Sequence, residues 1–144
     1  MDRIDIHIEV PAIKFNKVSS DIVAEASSAI RDRVTHARTI QQKRFRSDGI
    51  YANAQMKSRH IRKYCRVDGD CLRLMETAMN RLGLSARAYN RILKVSRTIK
   101  DLEEVENISS HHISEAIKYR SLERRVIRTR RLAFTLLPGK CAVV

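Results

Sequence analysis

The chain has 144 residues and a formal net charge of +13, from 29 Lys and Arg against 16 Asp and Glu. This length allows one domain with a modest core, and four glycines and two prolines are too few for the many turns of an all-β fold. No apolar run approaches the roughly 18 residues of a membrane span, and no signal segment is evident after Met1, so we expect a cytoplasmic protein without a membrane contact.

Residues 4–10, IDIHIEV, alternate apolar and polar side chains with a period of two. That pattern predicts a β-strand, which Pro11 would end. A strand needs a ladder partner for its backbone groups, and nothing later in the chain predicts a second strand. We therefore expect residues 1–12 to be one orphaned strand from the core of a larger protein.

The chain from residue 13 to 124 predicts an all-α domain. Serines that precede apolar stripes, among them Ser19, Ser20 and Ser85, are natural N-caps, and Gly83 is a natural C-cap. Residues 46–57 predict a loop with a turn at Asp48-Gly49. Four or five helices are expected, at about 20–45, from Ser58 to about 65, at about 69–82, at about 86–104, and from Ser109 or Ser110 onward. Residues 125–144 predict a basic and then apolar tail.

Apolar spacing predicts which helix faces are buried. The stripe of the first helix is Val23, Ala26, Ile30, Val34 and Ala37. The stripe of the helix at 86–104 is Tyr89, Ile92, Leu93, Ser96 and Ile99. The opposite face of that helix carries Arg87, Arg91 and Lys94, at helical spacing.

The motifs of common enzymes are missing from this sequence. It has no GxxxxGK[ST] loop, no HExxH, no GxSxG and no glycine-rich dinucleotide turn. The three cysteines are irregularly spaced without a CxxC pair, which predicts reduced thiols rather than a zinc site. His111 and His112 are adjacent, so we expect their side chains to point to different faces of a helix. No metal site is predicted.

The basic residues are unevenly distributed, which favours a polyanionic partner such as nucleic acid, nucleotide phosphates or an acidic protein surface. Residues 31–66 hold eleven Lys and Arg against two acids, and residues 118–131 hold seven against one. Residues 101–106 are acidic. One interpretation is a stand-alone basic helical module that binds nucleic acid. The candidate contacts for DNA are Arg44, Arg59, Arg62, Lys63, Arg91 and Lys94.

Several separate blocks of the sequence carry a resemblance to a known family. They are DRIDIHIEV (2–10), GIYANAQM (49–56), IRKYC (61–65), GLSARAYNRILKVSRTIKDLE (83–103) and ISEAIKYRSLER (113–124). In this order they resemble the C-terminal part of magnesium-chelatase-like AAA+ ATPases of the ComM/YifB type. A subunit of magnesium chelatase itself fits less well, because the IHIEVP and NAQM blocks are more similar to the ComM/YifB proteins.

This resemblance implies a helical lid domain that acts on ATP only in an assembled ring, which in the complete parent protein is hexameric. Arg3 matches the arginine of the LDRID motif, which implies an arginine finger that enters the ATP site of the neighbouring subunit. Arg87 matches the arginine of the SARAYxR motif, which implies a sensor 2 residue that contacts the γ-phosphate within its own subunit. A guanidinium suits both tasks, because it is always charged and binds phosphate in a bidentate way.

The resemblance also implies what the parent protein has and this chain lacks. The Walker A loop, the Walker B acids and the sensor 1 residue of the family would precede Met1. ATP and Mg²⁺ are therefore expected as cofactors of the parent, and no ATP hydrolysis is expected from this chain alone. For the parent, the resemblance implies work on DNA, such as branch migration during uptake and recombination.

Overall fold

A computed structural model describes residues 5–8, 10 and 25–120, which form an all-α bundle. Its elements are α1 (Ser27–Arg44), a short 3₁₀ helix η1 (Asn53–Gln55), α2 (Ser58–Tyr64), α3 (Gly69–Leu82), α4 (Ala86–Leu102) and α5, described over residues 110–120. The prediction of four or five helices is confirmed. None of the helices among these residues is long and apolar enough to cross a membrane.

The predicted N-terminal strand is not supported. Residues 5–8 and 10 have no strand structure, because no ladder partner lies beside them within the described part of the chain. This segment instead lies against the bundle, where the His7 backbone N–H donates to the Tyr119 carbonyl over 3.0 Å. Asp5 adds an ion pair with Arg91 at 3.0 Å. Its exposed apolar side chains (Ile6, Ile8 and Val10) follow the period of two but face no sheet.

Helix α1 begins later than predicted, because the backbone of Ala26 is extended and the helix starts at Ser27. The proposed caps Ser19 and Ser20 lie outside the described residues. Its predicted stripe is only partly buried. Ala37 is buried, whereas Ile30 and Val34 are exposed, so only the C-terminal half of α1 packs on the bundle.

Helices α3 and α4 have the ends that the sequence predicts. Gly83 ends α3 in the left-handed conformation, with φ of 50°, which glycine adopts without steric cost. Ser85 then caps α4, since its side chain accepts a hydrogen bond from the Ala88 backbone N–H over 3.2 Å. The first turn of α4, which carries Arg87, is therefore fixed by local sequence.

We expect Ser85→Ala to lower the free energy of unfolding by about 1 kcal/mol, because the Ala88 N–H loses its acceptor. Urea denaturation followed by circular dichroism measures this. Ser85→Asp keeps an acceptor at the same position and is expected to restore most of the loss. An alanine variant as stable as the original chain would show that the cap contributes nothing here.

Helix α4 is the centre of the bundle and packs against α1, η1 and α2. Its predicted face is confirmed, with Ile92, Leu93 and Ser96 buried and Tyr89 and Ile99 partly buried. The hydrophobic core around it draws on α2, α3, α5 and the intervening loops, through Phe45, Met56, Ile61, Cys65, Cys71, Met75, Ile108, Ile113 and Ala116. One face of α4 is thus immobilised by packing, and its N-terminal turn lies at the edge of this core.

A buried polar network joins α1, η1 and α4 around Asp101, whose side chain is fully buried. Arg44 donates to both Asp101 carboxylate oxygens, one of them over 2.7 Å. The Asn53 amide donates to the same carboxylate over 2.8 Å, and Asn53 accepts from Arg44 over 3.0 Å. The Gln41 side chain accepts from the Asn53 backbone N–H over 3.0 Å. The network therefore fixes how α1 and η1 sit on α4.

Cys65 and Cys71 are free and buried, which confirms reduced thiols at these two positions. Burial raises the pKa of each thiol to about 11. Both are therefore protonated at neutral pH and unreactive. Cys141 lies outside the described residues.

Candidate functional site

A shallow cleft of about 350 Å³ lies between the start of α2 and the N-terminal half of α4. Four cationic side chains line it, namely Lys57, Arg87, Arg91 and Lys94. Its other lining residues are Met56, Ser58, Ile61 and Asn90, so no acid is among the described residues that line it. Like charges that line one cleft repel each other, so the cleft favours an anion as its ligand.

Local structure determines which side chains reach the cleft. Arg87 lies in the first turn of α4, after the Ser85 cap, and is exposed. Arg91 and Lys94 follow at helical spacing on the same side. Lys57 comes from the opposite wall, where it precedes α2. Its backbone N–H donates to His60 Nδ1 over 3.0 Å, which fixes the chain at this point.

Lys94 and Arg91 each contact a neighbouring segment of the chain. Lys94 Nζ donates to the Ala54 carbonyl over 2.8 Å. Arg91 Nε lies 3.0 Å from the Asp5 carboxylate, which is also 3.8 Å from Arg120. The predicted grouping of Arg87, Arg91 and Lys94 on one face is confirmed, and the structure shows that two of them also hold neighbouring segments in place.

The remaining candidate DNA contacts lie elsewhere. Arg44 is only 9% exposed and is paired with Asp101 in the interior, so little of its guanidinium is available to a phosphate. Arg59, Arg62 and Lys63 lie on the exposed side of α2. Hydrogen bonding with Tyr64 and the charge of Asp48 raise the pKa of Lys63, which stays protonated. Nucleic-acid binding by these residues stays a prediction.

The second predicted ATP contact, Arg3, lies outside the described residues. The nearest described residue is Asp5, whose pairing with Arg91 holds the segment after Arg3 against α4. Lys57 also lines the cleft, although no pattern in the sequence predicts a role for it. A basic residue before a seven-residue helix carries no distinctive signal, and only the packing of α2 on α4 brings it opposite Arg87.

Comparison with known proteins identifies the kind of domain. The family described as magnesium chelatase, subunit ChlI C-terminal, matches residues 24–120. This match covers the whole bundle, including both walls of the cleft. The chain therefore belongs to this C-terminal family of magnesium-chelatase-like AAA+ proteins.

Individual relatives narrow the assignment to the ComM/YifB type. The chain is 36% identical over 133 residues to the protein YifB of Salmonella typhimurium and 38% identical over 125 residues to the competence protein ComM of Haemophilus influenzae. These alignments cover 92% and 86% of this chain. The chain spans only about a quarter of the length of these relatives, 26% and 24% respectively.

Proposed function

We propose that this domain is the lid of a ring-forming ATPase and that its basic cleft receives the phosphates of ATP bound to the core of the same subunit. Arg87 is the sensor 2 residue in this proposal, and Lys57 adds a second cation from the opposite wall. Mg²⁺ and the rest of the phosphate site would come from the AAA+ core, which together with the neighbouring subunits is the partner of this domain.

The observation that carries the proposal is the exposed position of Arg87 at the start of a rigid helix, in a cleft lined by cations. The helix dipole adds positive potential at this end of α4. A guanidinium placed there can stabilise charge that develops on a transferring phosphoryl group. The buried face of α4 resists displacement, so movement of the lid as a body would carry Arg87 with it.

Arg3 completes the proposal as an arginine finger that acts on the ATP of the adjacent subunit. This role for Arg3 is inferred from the resemblance to ComM/YifB proteins. One relative is named a competence protein, which supports DNA as the substrate on which the ring works. We infer branch migration or helicase-like work in DNA uptake and recombination as the output of ATP hydrolysis.

A chimeric protein tests the proposal. The matching segment of Haemophilus influenzae ComM would be replaced by the corresponding part of this chain, and ATP hydrolysis would be measured with and without branched DNA. We expect activity within about tenfold of unmodified ComM. A ComM protein without the segment should hydrolyse ATP at least about a hundredfold more slowly, because phosphate contacts and lid closure are both removed.

Assembly is measured in parallel by light scattering. A chimera that forms rings and binds ATP but does not hydrolyse it faster than the shortened protein would contradict the proposed role. A chimera that hydrolyses ATP at a rate unchanged by any DNA would contradict the DNA part alone.

A further inference from the structure

Three potential metal ligands converge where α4 ends and α5 begins. Glu103 Oε1 lies 2.8 Å from His111 Nε2, and Glu103 Oε2 lies 3.0 Å from His112 Nε2. One ligand atom from each of the three residues lies within 4.8 Å of the others. The expectation that the two histidines point apart is therefore wrong. Their rings meet edge to face, with centroids 4.7 Å apart, and both reach the same carboxylate.

We propose that Glu103, His111 and His112 form a binding site for a divalent transition metal of the zinc class. Two imidazoles and one carboxylate are a ligand set that Zn²⁺ accepts in proteins, with a fourth position left to water. The same set is used for other first-row metals. Mg²⁺ prefers oxygen ligands and would not compete for it.

The turn before the site is held in an unfavourable conformation. Glu104 has φ of 58°, in the left-handed region, and it is the one non-glycine residue with positive φ among the described residues. A side chain there is sterically unfavourable, and a helix end of this kind normally carries glycine. Such a conformation is maintained where the surroundings demand it. Here this conformation turns the chain from the end of α4 towards the start of α5, and the Glu103 side chain then faces both histidines.

His112 is held in position on its other side. Its side chain is 2% exposed, and Nδ1 lies 2.8 Å from both the backbone N and the Oγ of Ser109. Without a metal, the Ser109 N–H donates to Nδ1, so the ring proton is on Nε2 and is donated to Glu103. With a metal on Nε2, the ring proton moves to Nδ1 and is donated to Ser109 Oγ, while the Ser109 backbone N–H gives up its hydrogen bond to the ring. A polar partner on the far nitrogen is the usual companion of a metal-bound histidine.

Metal binding would require the three ligand atoms to rearrange around the ion. Ligand atoms around tetrahedral Zn²⁺ are about 3.3 Å apart when each bond is about 2.0 Å. The two hydrogen bonds are 2.8 and 3.0 Å long and would each open by less than about 0.5 Å, whereas the widest pair of ligand atoms, which lie within 4.8 Å of each other, would close by up to about 1.5 Å. Glu103 and His111 are both partly exposed, with side-chain exposures of 39% and 59%, and can move by that amount.

Local charge also favours a cation at this place in an otherwise basic chain. Glu103, Glu104 and Glu106 lie in its acidic stretch, and the carbonyl end of α4 adds negative potential. A metal here would join the end of α4 to the start of α5. It would then stabilise the C-terminal end of α4, which is the end away from Arg87, without taking part in ATP hydrolysis.

Metal titration of the chelator-treated chain tests this proposal, with Cys141→Ser as the background so that this thiol does not compete. We expect Zn²⁺ to bind one to one in calorimetry and Co²⁺ to give the visible absorption of a tetrahedral site without a thiolate band. Millimolar Mg²⁺ should not displace either. Zn²⁺ should also raise the thermal midpoint of the chain.

Exposed His111 provides the decisive variant, because its replacement leaves the core intact. His111→Ala and Glu103→Gln should each weaken Zn²⁺ binding at least about tenfold and abolish the thermal shift. His36→Ala is the matched control, since His36 pairs with the adjacent Glu104 at 3.6 Å but lies outside the cluster. Equal affinity in the original chain and the His111→Ala variant, or loss of binding with His36→Ala alone, would overturn the proposal.

Discussion

Replacing Arg87 by alanine in the chimeric ring is expected to lower kcat for ATP hydrolysis about a hundredfold or more. The loss of one preorganised donor to a developing negative charge has an effect of this size. The KM for ATP should change less, because the core holds most of the nucleotide. Steady-state kinetics over a range of ATP concentrations separates the two parameters.

The stability of the domain should not change in this variant. Arg87 is exposed, and surface substitutions of this kind alter the free energy of unfolding by less than about 0.5 kcal/mol. Arg73→Ala is the matched control, because Arg73 is also an exposed helical arginine and does not line the cleft. A fall in kcat of less than about twofold for Arg87→Ala, or an equal fall for Arg73→Ala, would remove the sensor 2 role.

Mixing two inactive variants distinguishes a contact made within a subunit from one made across the interface. In a ring with head-to-tail interfaces, each ATP site would take Arg87 from its own subunit and Arg3 from the neighbour. Subunits with Arg3→Ala and subunits with Arg87→Ala, mixed equally before assembly, should then restore about a quarter of the sites. Failure to restore activity, in rings shown to contain both variants, would mean that each ATP site takes both arginines from a single subunit.

The elements near the cleft were the most predictable from sequence, because their signals are local. Gly83 and Ser85 mark the end of one helix and the start of the next, and the apolar spacing of α4 then determines which side carries Arg87. The resemblance to ComM/YifB proteins added a role for Arg87 that no helical pattern contains. The N-terminal strand is not supported, for the opposite reason, since a strand depends on a partner that the described part of the chain does not provide.

The polar contacts were the least predictable, because they depend on packing between distant segments. A run of basic residues in the sequence places Arg44 among the candidate DNA contacts. Its actual partner, Asp101, is 57 residues away in sequence. The convergence of His111 and His112 on Glu103 depends in the same way on a turn conformation at Glu104, where nothing in the sequence suggests positive φ.

Removing the carboxylate of Asp101 is expected to be the most destabilising single change in the bundle. Asp101→Ala would leave the Arg44 guanidinium and the Asn53 amide in the interior without their main acceptor. Lys100, which is 3.5 Å from the same carboxylate, would lose its counter-charge as well. Breaking one side of a buried ion pair costs about 3–5 kcal/mol, which is a large part of the 5–15 kcal/mol that stabilise a typical domain.

Urea denaturation at neutral pH measures this loss, and an exposed ion pair provides the control. Asp70→Ala removes the partner of Arg73, where both side chains are about three-quarters exposed, 74% and 77%. That pair should contribute no more than about 1 kcal/mol. Similar losses of unfolding free energy in the two variants would show that the buried Asp101 network contributes no more to stability than an exposed ion pair.

Acidification provides an independent check of the same network. Burial alone would raise the pKa of Asp101, but the hydrogen bonds from Arg44 and Asn53, together with the arginine charges, outweigh it and lower the pKa below its ordinary value of 3.8. A carboxyl whose pKa is lowered by folding stabilises the protein above that ordinary value. This contribution is lost as the pH falls through the folded pKa.

The gap in stability between the original chain and Asp101→Ala should therefore be full at pH 7 and narrow below about pH 4. A gap that stays constant down to the acid unfolding of both proteins would mean that the ionised carboxylate is not what holds α1 and η1 on α4.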